Sequence, residues 1–204
     1  MTTSESVTEP STGPLTTKRK RADAVKNHEK ILRAAEEIFA TEGITVPIDL
    51  VAERAGVGIG TLYRHFPTKE ALYEAIVMTR LTAILAMADD YAKDPDPGEG
   101  LYSFLREFAA QAAEKKDLFE ALSQAGIDVK AHFSDLIEEL MAKVDALRAR
   151  AVTCGAVRED VATNDILNLV VGTCHVASQG GFDDDGLNRL IDIVIVGIQP
   201  HPTT

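Results

Sequence analysis

TVPIDLVAERAGVGIGTLYRHFPTKEALYE, residues Thr45 to Glu74, reads as two short helices around a glycine turn. Val51, Ala52 and Ala55 supply an apolar face for the first helix, and Ala52 is small where a second helix must cross closely. Gly56 stands where the chain reverses, a place for positive φ that glycine adopts without steric cost. The second helix, expected from Gly58 to Phe66, buries Leu62 and Phe66, four residues apart on one face. Thr61, Tyr63, Arg64 and His65 are left on its other sides. Two helices joined by such a turn form a helix-turn-helix, whose second member enters the major groove.

Outward from this stretch, the remaining segments also read as helices. A first helix is expected over Asp23 to Thr41, with Ile31, Leu32, Ala35, Ile38 and Phe39 as its apolar stripe and Gly43 at its end. Pro47 suits the start of the next helix, where a missing N–H costs little. Pro67 stops the second motif helix, and Thr68 caps a long one from Lys69 to about Lys93, which would join head to body. Asp94 to Gly100 (DPDPGEG) is the clearest breaker and reads as a loop. Helices are then expected over Leu101–Lys115, Asp117–Ala125, Lys130–Thr153, Thr163–Ser178 and Leu187–Ile198. Residues 194–198 (VIVGI) are β-branched but continue a helical stripe with Leu190 and Ile191. The expected class is all-α: a three-helix helix-turn-helix head and a larger helical regulatory and dimerisation domain, about nine helices in total. Residues 18–68 form the head and 69–199 the body, with tails at 1–17 (disordered) and 200–204.

The chain has 204 residues, 45% hydrophobic and 26% charged, enough apolar material for a core. No apolar run approaches the ~18 residues of a membrane span, and the first 17 residues lack the apolar centre of a signal peptide. A cytoplasmic location without membrane contact is the expectation. Cys154 and Cys174 read as small buried apolar residues rather than a disulfide. His28, His65, His132, His175 and His201 are scattered, so no metal site is expected. With no P-loop, dinucleotide fingerprint or nucleophile elbow, neither catalysis nor a cofactor is expected. The net charge of −11 argues against nucleic acid until it is located. Residues 18–69 hold ten Lys/Arg and seven Asp/Glu, net +3, whereas residues 70–204 hold eleven and twenty-three, net −12. A basic head on an acidic body is the asymmetry of a protein that meets DNA with one end.

The run AGVGIGTLYRHFPTKEAL, residues 55–72, resembles the signature of the TetR family of transcriptional regulators, and ILRAAEEIFATEG, residues 31–43, resembles its first helix. The likeness spans roughly residues 27–75. By resemblance, Tyr63, His65 and Lys69 correspond to phosphate-binding positions. Lys69 stands at a helix N-terminus, where a cation opposes the dipole, so an anion partner explains it better than helix stability does. His65 has a plainer alternative as a partly buried histidine. Val46-Pro47 departs from the Thr or Ser that often opens the family's second helix, so a hydroxyl contact there is not expected. From the residues themselves, Gly58 and Gly60 let backbone approach the sugar-phosphate chain, Thr61 offers a hydroxyl or methyl to a base edge, and Arg64 suits guanine or phosphate. Lys18, Arg19, Lys20 and Arg21 read either as a solvated charge run or as an arm reaching phosphates.

One head reads few base pairs, so a homodimer on a double-stranded operator is expected. Leu167, Val170, Val171, Cys174, Leu190, Ile193, Val194 and Ile198 are the candidate interface, a four-helix bundle, with monomer core as the alternative. A small, largely apolar effector is the expected regulator, released repression its effect; regulation without an effector, or a helical scaffold without DNA, are the rivals. Phe104, Phe108, Phe119, Leu122, Phe133, Ile137 and Met141 form the candidate pocket, with Gln111, His132, Asn168 and His175 as polar anchors. Such a stripe is more often plain core than a ligand box.

Overall fold

A computed structural model of the chain describes residues 14–43, 45–114, 129–179 and 183–200. Among the described residues, nine helical segments and no strand are present. They are α1 (Pro14–Glu42), α2 (Ile48–Ala55), α3 (Ile59–His65), α4 (Lys69–Tyr91), α5 (Pro97–Glu114), α6 (Val129–His132), α7 (Ser134–Thr153), α8 (Thr163–Gln179) and α9 (Asp184–Ile198). The short helix expected over Asp117–Ala125, most of the first tail, and residues 201–204 lie outside the described residues.

The first three helices close over Ile31, Ala34, Ala35, Ile38 and Phe39 of α1, Ile48, Val51, Ala52 and Ala55 of α2, and Leu62 with Phe66. Gly56 (φ 66°) ends α2: its N–H donates to the Glu53 carbonyl and that of Val57 to the Ala52 carbonyl, each at 3.0 Å. These two bonds satisfy terminal carbonyls while the left-handed residue turns the chain back. Thr68 Oγ1 accepts from the Ala71 N–H at 3.1 Å, the cap expected for α4.

α4 belongs to two cores. Leu72, Tyr73, Ile76, Val77 and Leu81 complete the head, while Met87 and Ala88 enter the body, whose centre is Leu101, Phe104, Leu105, Val144, Leu147, Ile166, Val170, Ile191 and Ile195. Arg80 on α4 pairs with Glu36 on α1 at 3.2 Å in a largely sheltered contact. By length and composition α4 could cross a membrane, contrary to the expectation that no stretch would. Eight of its residues, from Leu72 to Ala88, have another employment, since they are buried where α4 packs on α1, α5 and α7.

Four boundaries differ from expectation, among them α9, which starts at Asp184 rather than Leu187 because Asp183 accepts from the Gly186 N–H at 2.8 Å. α1 starts at Pro14, so residues 14–17 of the expected tail are helical and Lys18–Arg21 lie within the helix rather than on an arm before it. Proline is well suited to a first helical turn, and the following KRKRADA run favours helix. α5 starts at Pro97 inside the expected loop because Asp96 accepts from the N–H groups of Gly98 and Glu99, at 2.9 and 3.2 Å. A Cβ on Gly100 would stand 2.8 Å from the Tyr91 carbonyl, so only glycine lets this turn close on the end of α4. The long helix expected from Lys130 is divided at Phe133 (φ −117°, ψ 28°), which turns its ring into the head cluster.

Candidate nucleic-acid interface

α3 has seven residues, too few to be stable alone, and is held by the burial of Leu62 and Phe66. That anchoring decides what faces outward. Tyr63 is 46% exposed, Arg64 is exposed, and Thr61 is half-buried. Gly58 caps the helix and Gly60 lies in its first turn, and an added Cβ at either would meet nothing within 4 Å. Neither packing nor backbone angle within the chain therefore calls for glycine at these two places. Ile59 between them is 42% exposed, a large aliphatic side chain outside the head core. Sequence reading passed over it; the two glycines flanking one branched residue were the signal.

His65 is half-buried beside His28 of α1, with ring centroids 5.8 Å apart in an edge-on arrangement. His28 also lies 4.8 Å from the Phe66 ring. Burial, with the charge of neighbouring His65, holds the His28 imidazole below the usual histidine range, only partly offset by Glu29.

Lys69 has a partner inside the chain, contrary to the expectation that an outside anion explains its position. Its Nζ donates to the Val46 carbonyl at 2.6 Å and sits 5.9 Å from the centroid of the Tyr73 ring. An internal acceptor and an aromatic face thus account for a cation at this helix start without an outside anion. Burial lowers the Lys69 ammonium from its ordinary value, and burial with Glu70 nearby pushes the Tyr73 phenol up to about 12. The contact fastens the start of α4 to the turn before α2. At that turn Pro47 precedes α2 and makes no side-chain cap hydrogen bond.

The body distributes the other expected residues differently. In α8 the buried stripe is Ile166, Val170, Cys174 and Ala177; in α9 it is Leu187, Ile191, Ile195 and Ile198. Val170, Cys174 and Ile198, expected at an interface, are therefore core, while Leu167, Leu190 and Val194 are half-buried against it. The outward faces carry Leu169, Val171 and Val176 on α8 and Ile193 and Val196 on α9, between 50% and 66% exposed. Asn168 and His175, expected as pocket anchors, stand exposed on the same outward part of α8, away from the buried stripe. A helix apolar nearly all round offers two candidate inward faces, and these residues lie on the one that the other helices leave uncovered.

The expected pocket is only partly assembled. Phe104 and Phe108 stack at 5.9 Å with planes 6° apart, Phe104 in the body core and Phe108 half-buried. Gln111 donates to Glu107 at 3.3 Å and approaches the Met87 sulfur at 3.7 Å. Ile137 and Met141 are half-buried on α7. Phe133 instead belongs to the head cluster, and exposed His132 pairs with Glu74 of α4 at 3.3 Å, because the break before α7 directs both towards α4. Phe119 and Leu122 lie outside the described residues. A shallow depression of about 400 Å³, lined by Pro97, Ala149, Arg150, Thr153 and Cys154, shares no residue with that set.

Two family profiles match this sequence. One, described as bacterial regulatory proteins of the tetR family, matches residues 31–76; the other, the C-terminal domain of SbtR-like transcriptional regulators, matches residues 96–200. The chain belongs to the TetR family. The crystal structure of a TetR transcription regulatory protein from Mycobacterium vanbaalenii is 34% identical and similar over 89% of this chain and 99% of its own, with a TM-score of 0.72. That of the TetR transcriptional regulator SCO0520 from Streptomyces coelicolor is 29% identical over 86% of this chain and 99% of its own, with a TM-score of 0.69. An HTH-type transcriptional regulator of Staphylococcus aureus is 27% identical over 125 residues, spanning 59% of this chain and 66% of that relative. The TetR likeness thus extends into the body, beyond the residues 27–75 that carry the resemblance in the sequence. The TetR family is one of transcriptional regulators, not of enzymes.

The His28 environment has a consequence for pH. An unfolded chain binds this proton near the ordinary value of about 6.5, whereas the folded head resists it until lower pH. The unfolded state therefore holds more protons just below that value, and stability falls as pH drops through it. Denaturant unfolding at pH 7.5, 6.0 and 5.0 checks this: His28→Phe, which keeps a ring against Phe66, should reduce the loss at acid pH. Equal losses in both proteins would contradict it.

Proposed function

We propose that this chain is a homodimeric, sequence-specific DNA-binding repressor, released from its operator by a small, largely apolar effector. The observation that carries the DNA reading is the division of α3: Leu62 and Phe66 are buried while Tyr63 and Arg64 face solvent. Thr61 and Arg64 meet base edges; Tyr63 and His65 meet phosphates. Open space around Gly58 and Gly60 favours close approach of backbone to the duplex. Lys69 has two N–H donors beyond the one given to Val46, so it bridges that carbonyl and a phosphate. Lys18 to Arg21 supply phosphate contacts from the first turns of α1. The net +3 of residues 18–69 against −12 for residues 70–204 orients the approach.

Dimerisation is supported by the outward faces of α8 and α9. Leu169, Val171, Val176, Ile193 and Val196 expose apolar surface on adjacent helices, and Gly172 and Gly197 lie among them with no internal neighbour near a would-be Cβ. Two such helices from each protomer form a four-helix interface in which the glycines permit close crossing.

The effector reading rests on the α6–α7 junction. Phe133 is buried in the head cluster and His132 pairs with Glu74, so a ligand displacing this segment moves α4 and with it the spacing of two heads. Such a ligand alters DNA affinity through its preference for one spacing. The stacked Phe104–Phe108 pair, Ile137 and Met141 favour an apolar or aromatic compound.

Gel shifts on DNA upstream of the chain's own gene and its neighbours test the first part. Tyr63→Phe and Lys69→Met should weaken all duplexes alike, Lys69→Met reducing the salt slope by about 1. Thr61→Ala and Arg64→Ala should change sequence preference, Arg64 by about 1–3 kcal/mol if it reads guanine. Equal loss of specificity from both pairs would overturn the assignment. Sedimentation at micromolar concentration should show a dimer that Ile193→Asp converts to monomer; a monomeric unsubstituted protein would defeat the interface. Apolar compounds that raise the melting temperature should also weaken operator binding, and unchanged operator affinity across all such binders would remove the effector.

A further inference from the structure

Ile59 is the first residue of α3, the turn of a reading helix that stands nearest base edges in a helix-turn-helix. It is 42% exposed and takes no part in the head cluster, even among the partly buried residues packed against it. A branched aliphatic side chain has no hydrogen-bonding group, so it contributes nothing to phosphate contact or to helix capping. On either side, at Gly58 and Gly60, the space a Cβ would enter is empty to 4 Å. The start of α3 is thus bare backbone around one apolar side chain, a surface able to come close enough for a short side chain to reach the groove floor.

In the major groove the edges of the base pairs present hydrogen-bond donors and acceptors, with one apolar group among them, the C5-methyl of thymine. We infer that Ile59 is a specificity-determining residue that packs on a thymine methyl in each operator half-site. The inference rests on the DNA-binding reading above and adds the identity of one base to it. Tyr63 and Arg64, the other exposed side chains of α3, carry polar ends and make the polar contacts; Ile59 supplies apolar discrimination. Cytosine at that position would offer an amino group and no methyl, leaving a polar donor against an aliphatic surface.

The test starts from the full chain and a pool of randomised duplexes, from which the preferred operator is selected. Each thymine of one half-site is then replaced singly by uracil, which removes the methyl and leaves base pairing intact. For the unsubstituted protein, one uracil should weaken binding about fourfold, the effect of about 0.8 kcal/mol for one buried methyl-sized group. Ile59→Ala should bind the thymine and uracil duplexes equally, and Ile59→Val should retain part of the discrimination. Alanine at an exposed helical position preserves folding, which thermal unfolding checks. Uracil replacements that cost the same in the unsubstituted protein and Ile59→Ala at every position would overturn the inference while leaving DNA binding intact. A protein that selects no sequence from the pool would instead defeat the regulatory reading and this inference with it.

Discussion

The burial of Leu62 and Phe66 against α1 and α2 is the contact on which the reading head depends. A helix of seven residues has almost no stability of its own, because a first turn orders several residues for one hydrogen bond. Two side chains spaced four apart supply what the backbone lacks, and in doing so fix the rotation of the helix about its axis. The outward placement of Tyr63 and Arg64 follows from the inward placement of Leu62 and Phe66. The turn at Gly56 sets the angle of entry, since its left-handed conformation brings the chain back across α2.

α4 extends this constraint to the body. Its first half completes the head core and its second half lies in the body core, so head and body share one rigid element. Lys69 with the Val46 carbonyl pins its start to the head, and Arg80 with Glu36 pins its middle to α1. Arg150 of α7 donates to the carbonyls of Ala92 and Asp94, holding the chain just past its end. Phe133 adds a further attachment, from the body back into the head cluster. Motion of the α6–α7 junction relative to α4 cannot leave the head untouched, which is the physical content of the proposed regulation.

Much of this was legible in the residue order because the signals are local. A cap such as Thr68, a stop such as Pro67 and a reversal such as Gly56 act within a few residues, so their helices lie close to where they were expected. The misplaced starts of α1 and α5 show the limit of the same reasoning. Pro14 and Pro97 signal a beginning as readily as a break, and only the Asp96 cap distinguishes the two roles at α5. Lys69 shows a further limit, since its internal acceptor lies twenty-three residues away at Val46.

The order of amino acids by itself determined that the chain is helical, that a helix-turn-helix occupies its first third, and which side of α3 faces inward. Periodicity and turn chemistry are properties of short segments, and the apolar residues of α3 occupy a single face. Tertiary structure alone decided the inward faces of α8 and α9, the transfer of Phe133 to the head, and the exposure of Ile59. In a helix apolar on two sides, the hydrophobic pattern is satisfied by either orientation, and the partner helices make the choice. Asn168 and His175 lie outward, and Val170 and Cys174 inward, because α5 and α9 cover the other face.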